Sequence, residues 1–168
     1  ITYQGSLIRE FYNSDDILLH YTINSDLSLK IIQELRNFGV QINVYLDDEL
    51  FVEDESSILK EYAGKRHIVY HKINSFEEIV EFKPTKILAI HENPDYVTQI
   101  RDFLRENYSS NLNIVKSMPN YCEIVNNQAS KGNCILYLAN KWKIDRSEIM
   151  AIGDQDNDRE MLEVAGIS

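Results

Sequence analysis

A chain of 168 residues that is 43% hydrophobic has enough apolar material for one ordinary core or two small ones. Its 27 acidic residues against 17 Lys and Arg leave a net charge of −10, which argues against nucleic acid or an anionic membrane surface as the main partner. A small anionic substrate stays open, because it responds to local charge. No apolar run reaches the roughly 18 residues of a membrane span, and ITYQGSLIREFY at the start has neither the basic nor the apolar stretch of a signal peptide. The two cysteines, Cys122 and Cys134, are too few for a disulfide scaffold, so a cytoplasmic location is expected. The chain opens without Met into a strand pattern and stops just past a helix pattern, so both ends are expected to continue in a longer protein.

In chain order, ITYQGSLI reads as a strand with a tight turn at Gly5. INSDLSLKIIQELRNFG reads as a helix capped by Ser25, with Leu27, Ile31, Leu35 and Phe38 on one face and Gly39 as its stop. QINVYL and LFVE alternate around the acidic turn Asp47-Asp48-Glu49, a hairpin pattern. SSILKEYAG is a short helix ended by Gly64, HIVYHKI is rich in β-formers, and SFEEIVEF is a further short helix. TKILAIHE is a continuous apolar strand, followed by a helix with Asn93 as cap and Pro94 in its first position. LNIVKS and YCEIVNN are strands joined by a turn at Met118 to Asn120. The last third is a helix from about Ser130 with Ile135, Leu138 and Trp142 inward, a short buried strand EIMAIGD, an acidic loop, and the helix NDREMLEVAG closed by Gly166. That order is the grammar of a parallel α/β sheet, whose sites lie at the carboxyl ends of its strands.

The acidic loop carries the chemistry. Asp154, Asp156 and Asp158 crowd into five residues with Asn157. Helix capping accounts for Asn157 or Asp158 singly, but three carboxylates so close repel unless a cation meets them. Oxygen ligands suit a hard cation such as Mg²⁺. A calcium EF-hand is excluded: counted from Asp154, position 6 is Arg159 and position 12 is Ala165, where Gly and Glu are required. Lys131, at the start of the preceding helix, sits where the helix dipole disfavours a cation. Beside free helix N–H groups it can cradle phosphate, and with Mg²⁺ it would complete a phosphoryl-transfer site. Elsewhere the bland reading prevails. His67 and His71 flank a strand-like IVY, where their side chains do not converge. The two cysteines and the stripe Tyr96, Phe103, Tyr108 read as core, and Tyr45 with its acidic turn reads as a solvated hairpin tip.

Ser130-Lys131-Gly132, Gly153-Asp154, Asn157-Asp158, Met161-Leu162 and Ala165-Gly166 match, in order and spacing, the C-terminal signature of the haloacid dehalogenase superfamily. The chain resembles more narrowly the Cof-type branch, which includes many sugar-phosphate phosphatases. TYQGSLI resembles that branch's Asn-Gly-Ala turn, with Gln4 and Ser6 as departures. The resemblance implies a partial Rossmann-like core with a parallel sheet, residues 1–22 and 122–168, and a large inserted α/β cap, residues 23–121, that closes over the site and selects the leaving group. It implies Mg²⁺ on Asp154, directly or through water, with Asp158 a further ligand or a support behind it. Lys131 would neutralise the phosphoryl group and the nucleophile, and Asn157 would hydrogen-bond the phosphate or orient the loop. The substrate would be a small phosphorylated metabolite.

The family's nucleophile is an aspartate in a D-x-D-G-T motif, and this chain has no such motif; the Asp-Asp pairs at 15–16 and 47–48 lack that context. Without it no aspartyl-phosphate forms. The chain is therefore expected to be part of a phosphatase whose nucleophile lies outside it, and to be inactive alone. The alternative is a nucleophile-less module that binds a phosphorylated ligand without turnover.

Overall fold

The computed structural model describes residues 1–10, 16–79 and 83–168. Strands are β1 (Leu7–Arg9), β2 (Ile17–His20), β3 (Gln41–Leu46), β4 (Glu49–Val52), β5 (Tyr70–Lys72), β6 (Lys86–Ile90), β7 (Leu112–Met118) and β8 (Tyr121–Asn126). Helices are α1 (Ser25–Phe38), α2 (Ser57–Arg66), α3 (Pro94–Tyr108), α4 (Lys131–Trp142) and α5 (Arg159–Val164). β1 and β2 form a small antiparallel pair. The other six build one sheet in the order β5-β4-β3-β6-β8-β7, antiparallel except at β4–β5.

Side-chain alternation gives that sheet two different faces. Ile42, Val44, Ile87, Ala89, Ile114, Cys122 and Ile124 point to one side, where α1 brings Ile31, Ile32 and Leu35 and α3 brings Val97, Ile100 and Leu104. The other side carries Tyr45, Leu50, Leu88 and Ile90 under Leu59 and Tyr62 of α2, with Tyr3 and Tyr121 at its margin. Lys86 and Glu123 share this second face, since they alternate with Ile87 and with Cys122 and Ile124. The second face therefore holds charge as well as apolar surface.

Local signals account for most element ends. Asn93 accepts from the N–H groups of Asp95 and Tyr96, with Pro94 in the first turn of α3. Asp47 and Asp48 both take positive φ, as a two-residue hairpin between right-twisted strands requires. The cap of α1 is Asn24, one residue before the expected Ser25, because its longer side chain reaches the N–H groups of Asp26 and Leu27. Gly64 lies inside α2, and the helix ends three residues later on a left-handed His67; nothing crowds Gly64, so the helix runs through it. SFEEIVEF begins with a short 3₁₀ turn at Phe76–Glu78, and its remaining residues 80–82 lie outside the described residues, as does Asp15 of the first Asp-Asp pair.

The last third departs further from expectation. Trp142 is 54% exposed, not inward; α4 instead buries Gly132 and Cys134. The segment EIMAIGD forms only one parallel bridge among the described residues, Met150 to Ile167. Ala151 is buried, but Met150 and Ile152 are 67% and 82% exposed. A strand of a parallel sheet is buried on both faces only when strands flank it and helices cover it, and here Ile167 is its one strand partner among the described residues. β8 belongs wholly to the six-stranded sheet, so the boundary expected between residues 121 and 122 passes through a strand.

Candidate active site

The site is built around the start of α4. Ser130 has extended backbone, and its Oγ accepts from the Asn133 N–H at 3.1 Å, so Lys131 is the first helical residue. One turn of helix is pressed onto α5: a Cβ on Gly132 would lie 2.7 Å from the Glu160 carbonyl oxygen. This contact brings Lys131 to the acidic loop, where its Nζ donates to Asp158 Oδ1 at 2.5 Å. The other carboxylate oxygen of Asp158 accepts from the N–H groups of Asp154 at 3.3 Å and Gln155 at 3.2 Å. A single inward carboxylate thus folds residues 154–158 back on themselves and ties them to the lysine. Gly153 leaves the room it needs, since a Cβ there would lie 2.4 Å from Asp158 Cβ.

Asp158 is 8% exposed, and burial alone would raise its pKa. The Lys131 ammonium and the two backbone N–H groups outweigh that and hold the carboxyl below its ordinary value. The cation at a helix start, costly by dipole alone, is offset in the same contact. Crowding in the loop is resolved by direction: Asp158 is buried, whereas Asp154 and Asp156 are exposed. No described residue makes a hydrogen bond or ion pair to the Asp154 carboxylate.

Asn157 reaches the opposite way, across to the N-terminal turn. Its Nδ2 donates to Gln4 Oε1 at 2.9 Å, and Gln4 Nε2 donates to Glu123 Oε1 at 3.1 Å. Glu123 also accepts from Lys86 Nζ at 2.9 Å and from the Ser117 hydroxyl. Gln4 reaches both partners because the turn is unusual. Tyr3, Gln4 and Gly5 have φ of 51°, 56° and 94°. The Gly5 carbonyl accepts from the Cys134 thiol at 3.1 Å, docking the turn on α4. Tyr3, Gln4, Lys131, Ile152, Asp158 and Met161 line a cleft of about 430 Å³ beside this network.

Of the expected site residues, the structure therefore joins Lys131 to Asp158, with Asp154 held through its backbone, while the neighbouring Asn157 belongs to a separate network through Gln4. As a metal position, the loop offers the Asp154 carboxylate, with both oxygens of Asp158 engaged. Among the described residues no three His, Cys, Asp or Glu side chains form a cage for an ion. A Mg²⁺ that takes one or two carboxylates and keeps several waters fits such a loop. Gln4, Glu123 and Lys86 were not foreseen as members of the site. Lys86 opens the apolar run KILAI and Glu123 interrupts YCEIVNN; charged residues at inward-facing strand positions were the available signal. His71 stacks on Phe51 at 5.2 Å, away from His67 at the end of α2. Both cysteines are free and buried. Tyr45 is 5% exposed and shares a hydrogen bond with the Tyr62 hydroxyl, so it belongs to the core and not to a solvated tip, and the adjoining Asp48 pairs with Arg9.

Comparison with known proteins bears on the family. A family model of haloacid dehalogenase-like hydrolases matches residues 1–168. A Streptococcus pyogenes protein provisionally named a phosphatase is 30% identical over 167 residues, covering 98% of this chain and 61% of its own. An HMP-PP phosphatase of Citrobacter koseri is 24% identical over 169 residues, covering 99% of this chain and 60% of its own. A Thermotoga maritima crystal structure superposes with a TM-score of 0.77 at 27% identity over 98% of this chain and 61% of that one. A haloacid dehalogenase-like hydrolase of Bacteroides thetaiotaomicron shares the fold, with a TM-score of 0.82 at 20% identity over the same shares. The chain spans about three fifths of the length of these relatives. No described helix is long and apolar enough to cross a membrane. The chain belongs to the haloacid dehalogenase-like hydrolases.

Proposed function

We propose that the protein carrying this chain is a Mg²⁺-dependent phosphatase of the Cof-type branch. Its substrate is a small phosphorylated metabolite, a sugar phosphate or a compound of that size. The observation that carries this reading is the division of labour in the acidic loop: Asp158 is spent on Lys131 and two backbone N–H groups, while the Asp154 carboxylate is left outward and unpaired among the described residues. Asp154 would hold the metal ion, and Asp158 would support it from behind. Mg²⁺ supplies charge neutralisation for the phosphoryl oxygens. Lys131 holds an ammonium at the cleft, where it meets the phosphoryl group and keeps a neighbouring carboxylate nucleophile ionised. That nucleophile, an aspartate that forms an aspartyl-phosphate, lies outside this chain, and the cap that selects the leaving group is formed by the segment expected at residues 23–121, carried on through β8 to Asn126. The naming of several relatives as phosphatases supports the reading.

The test is turnover of p-nitrophenyl phosphate with Mg²⁺ by the whole protein and by residues 1–168 alone. Turnover by the whole protein that falls at least about a hundredfold in Asp154→Ala and in Lys131→Ala is expected, with the 168-residue chain silent. A whole protein that binds phosphate or Mg²⁺ without turnover would replace the enzyme with a binding module.

A further inference from the structure

The side-chain amides of Gln4 and Asn157 form a directional relay, and Glu123 sets its direction. An ionised carboxylate only accepts hydrogen bonds. Burial raises the Glu123 carboxyl, but Lys86, the Ser117 hydroxyl and the Gln4 amide together hold it below its ordinary value, so it is ionised near neutral pH. Gln4 must then turn its NH₂ toward Glu123 and its oxygen toward Asn157. Asn157 in turn must present its own NH₂ to Gln4. Its Oδ1 is thereby fixed on the far side, buried, with no donor among the described residues. Asn157 and Gln4 line a cavity of about 30 Å³ together with Lys131, Asp156, Glu160 and Asn113. A non-glycine residue at φ of 56° persists only where its surroundings hold it; at Gln4 the two ends of this relay add to the backbone bonds of the turn and the Cys134 contact on Gly5.

We propose that Gln4 is a positioning residue of the active site: it transmits the acceptor polarity of the buried Lys86–Glu123 pair in the six-stranded sheet to Asn157, and so fixes which end of the Asn157 amide is turned away from Gln4 within the acidic loop. The inference rests on the phosphatase reading for its catalytic consequence and on geometry alone for the relay. It ties the part of the chain that contains β6 and β8 to the loop that contains Asp154, through two amides that cannot both be reversed while Glu123 is charged. A Gln4→Met substitution keeps the length and bulk of the side chain and removes both bonds.

The experiment uses the whole protein and two readouts. In the unmodified protein, NMR of the side-chain amides is expected to show both Gln4 and Asn157 NH₂ groups exchanging with solvent more slowly than free amides. In Gln4→Met the Asn157 NH₂ loses that protection and shifts, while kcat for p-nitrophenyl phosphate falls about tenfold and KM moves less than about twofold. An Asn157 amide unchanged in Gln4→Met, or an unchanged kcat beside a displaced amide, overturns the proposal. Should Gln4→Met not fold, the unmodified protein decides: either amide exchanging at the free rate overturns the relay. A protein that does not turn over at all defeats the phosphatase reading, and the amide measurement still tests the relay by itself.

Discussion

Gly5 lies directly against the backbone of Ser130: a Cβ on Gly5 would stand 2.4 Å from the Ser130 carbonyl oxygen, and its φ is +94°. Both facts forbid a side chain. Gly5→Ala is therefore expected to cost about 2–3 kcal/mol of unfolding free energy, measured by urea titration. Gly64 is the contrast: it sits inside α2, and a Cβ there would meet nothing within 4 Å. Gly64→Ala should stabilise by about 0.5–1 kcal/mol. The two changes of one methyl group should move the midpoint in opposite directions.

The clamp between Lys131 and Asp158 has a defined response to acid. The folded pKa of Asp158 is depressed, so the stability it contributes is present in full above the unfolded value near 3.9 and is lost as pH falls through the lower folded value. The backbone N–H signals of Asp154 and Gln155, both bonded to that carboxylate, should hold still from pH 8 to about 5 and shift only on further acidification. In Asp158→Ala they should resemble solvent-exposed amides across the whole range.

Lys86 and Glu123 are 9% and 6% exposed, and each is the other's ion-pair partner. Removing one partner strands a buried charge. Glu123→Ala is expected to cost about 3–5 kcal/mol, whereas Lys86→Met with Glu123→Leu together should cost clearly less than the sum of the single changes. A double-mutant cycle in denaturant measures the difference, and additive single changes would refute the pairing.

Cys122 is fully buried, and burial pushes its thiol up to about 12. Cys134 is also buried, raised by burial, and donates to the Gly5 carbonyl. Since the thiolate is the reactive form, neither should react with an aromatic disulfide reagent at pH 8 in the folded protein. Both should titrate once denaturant is added, at the unfolding midpoint.

Legibility in the sequence followed the range of the forces. Asn93-Pro94, the Asp47-Asp48 turn and the face of α1 are settled by neighbours within four residues, and they read correctly. The spaced motif also marked Lys131 and Asp158, which the structure brings into contact. What failed depends on partners far away. Gly64 reads as a stop, yet only the surroundings decide whether a helix runs through it. The periodicity that placed Trp142 inward cannot tell which helix face meets α5. Met150 and Ile152 look buried because apolar runs of that kind are buried when flanked on both sides. Gln4 and Glu123 are 119 residues apart, and no local pattern announces that they touch.

That separation also orders the making of the site. The six-stranded sheet draws every strand from residues 41–126, and most of its pairings join neighbours in the chain. The bond from Asn157 to Gln4 spans 153 residues. Contacts that close long loops form late, after shorter-range structure has made their cost smaller. On a ribosome, the sheet can therefore assemble while the acidic loop is still unmade, and the tie between that loop and the N-terminal turn is a late closing step.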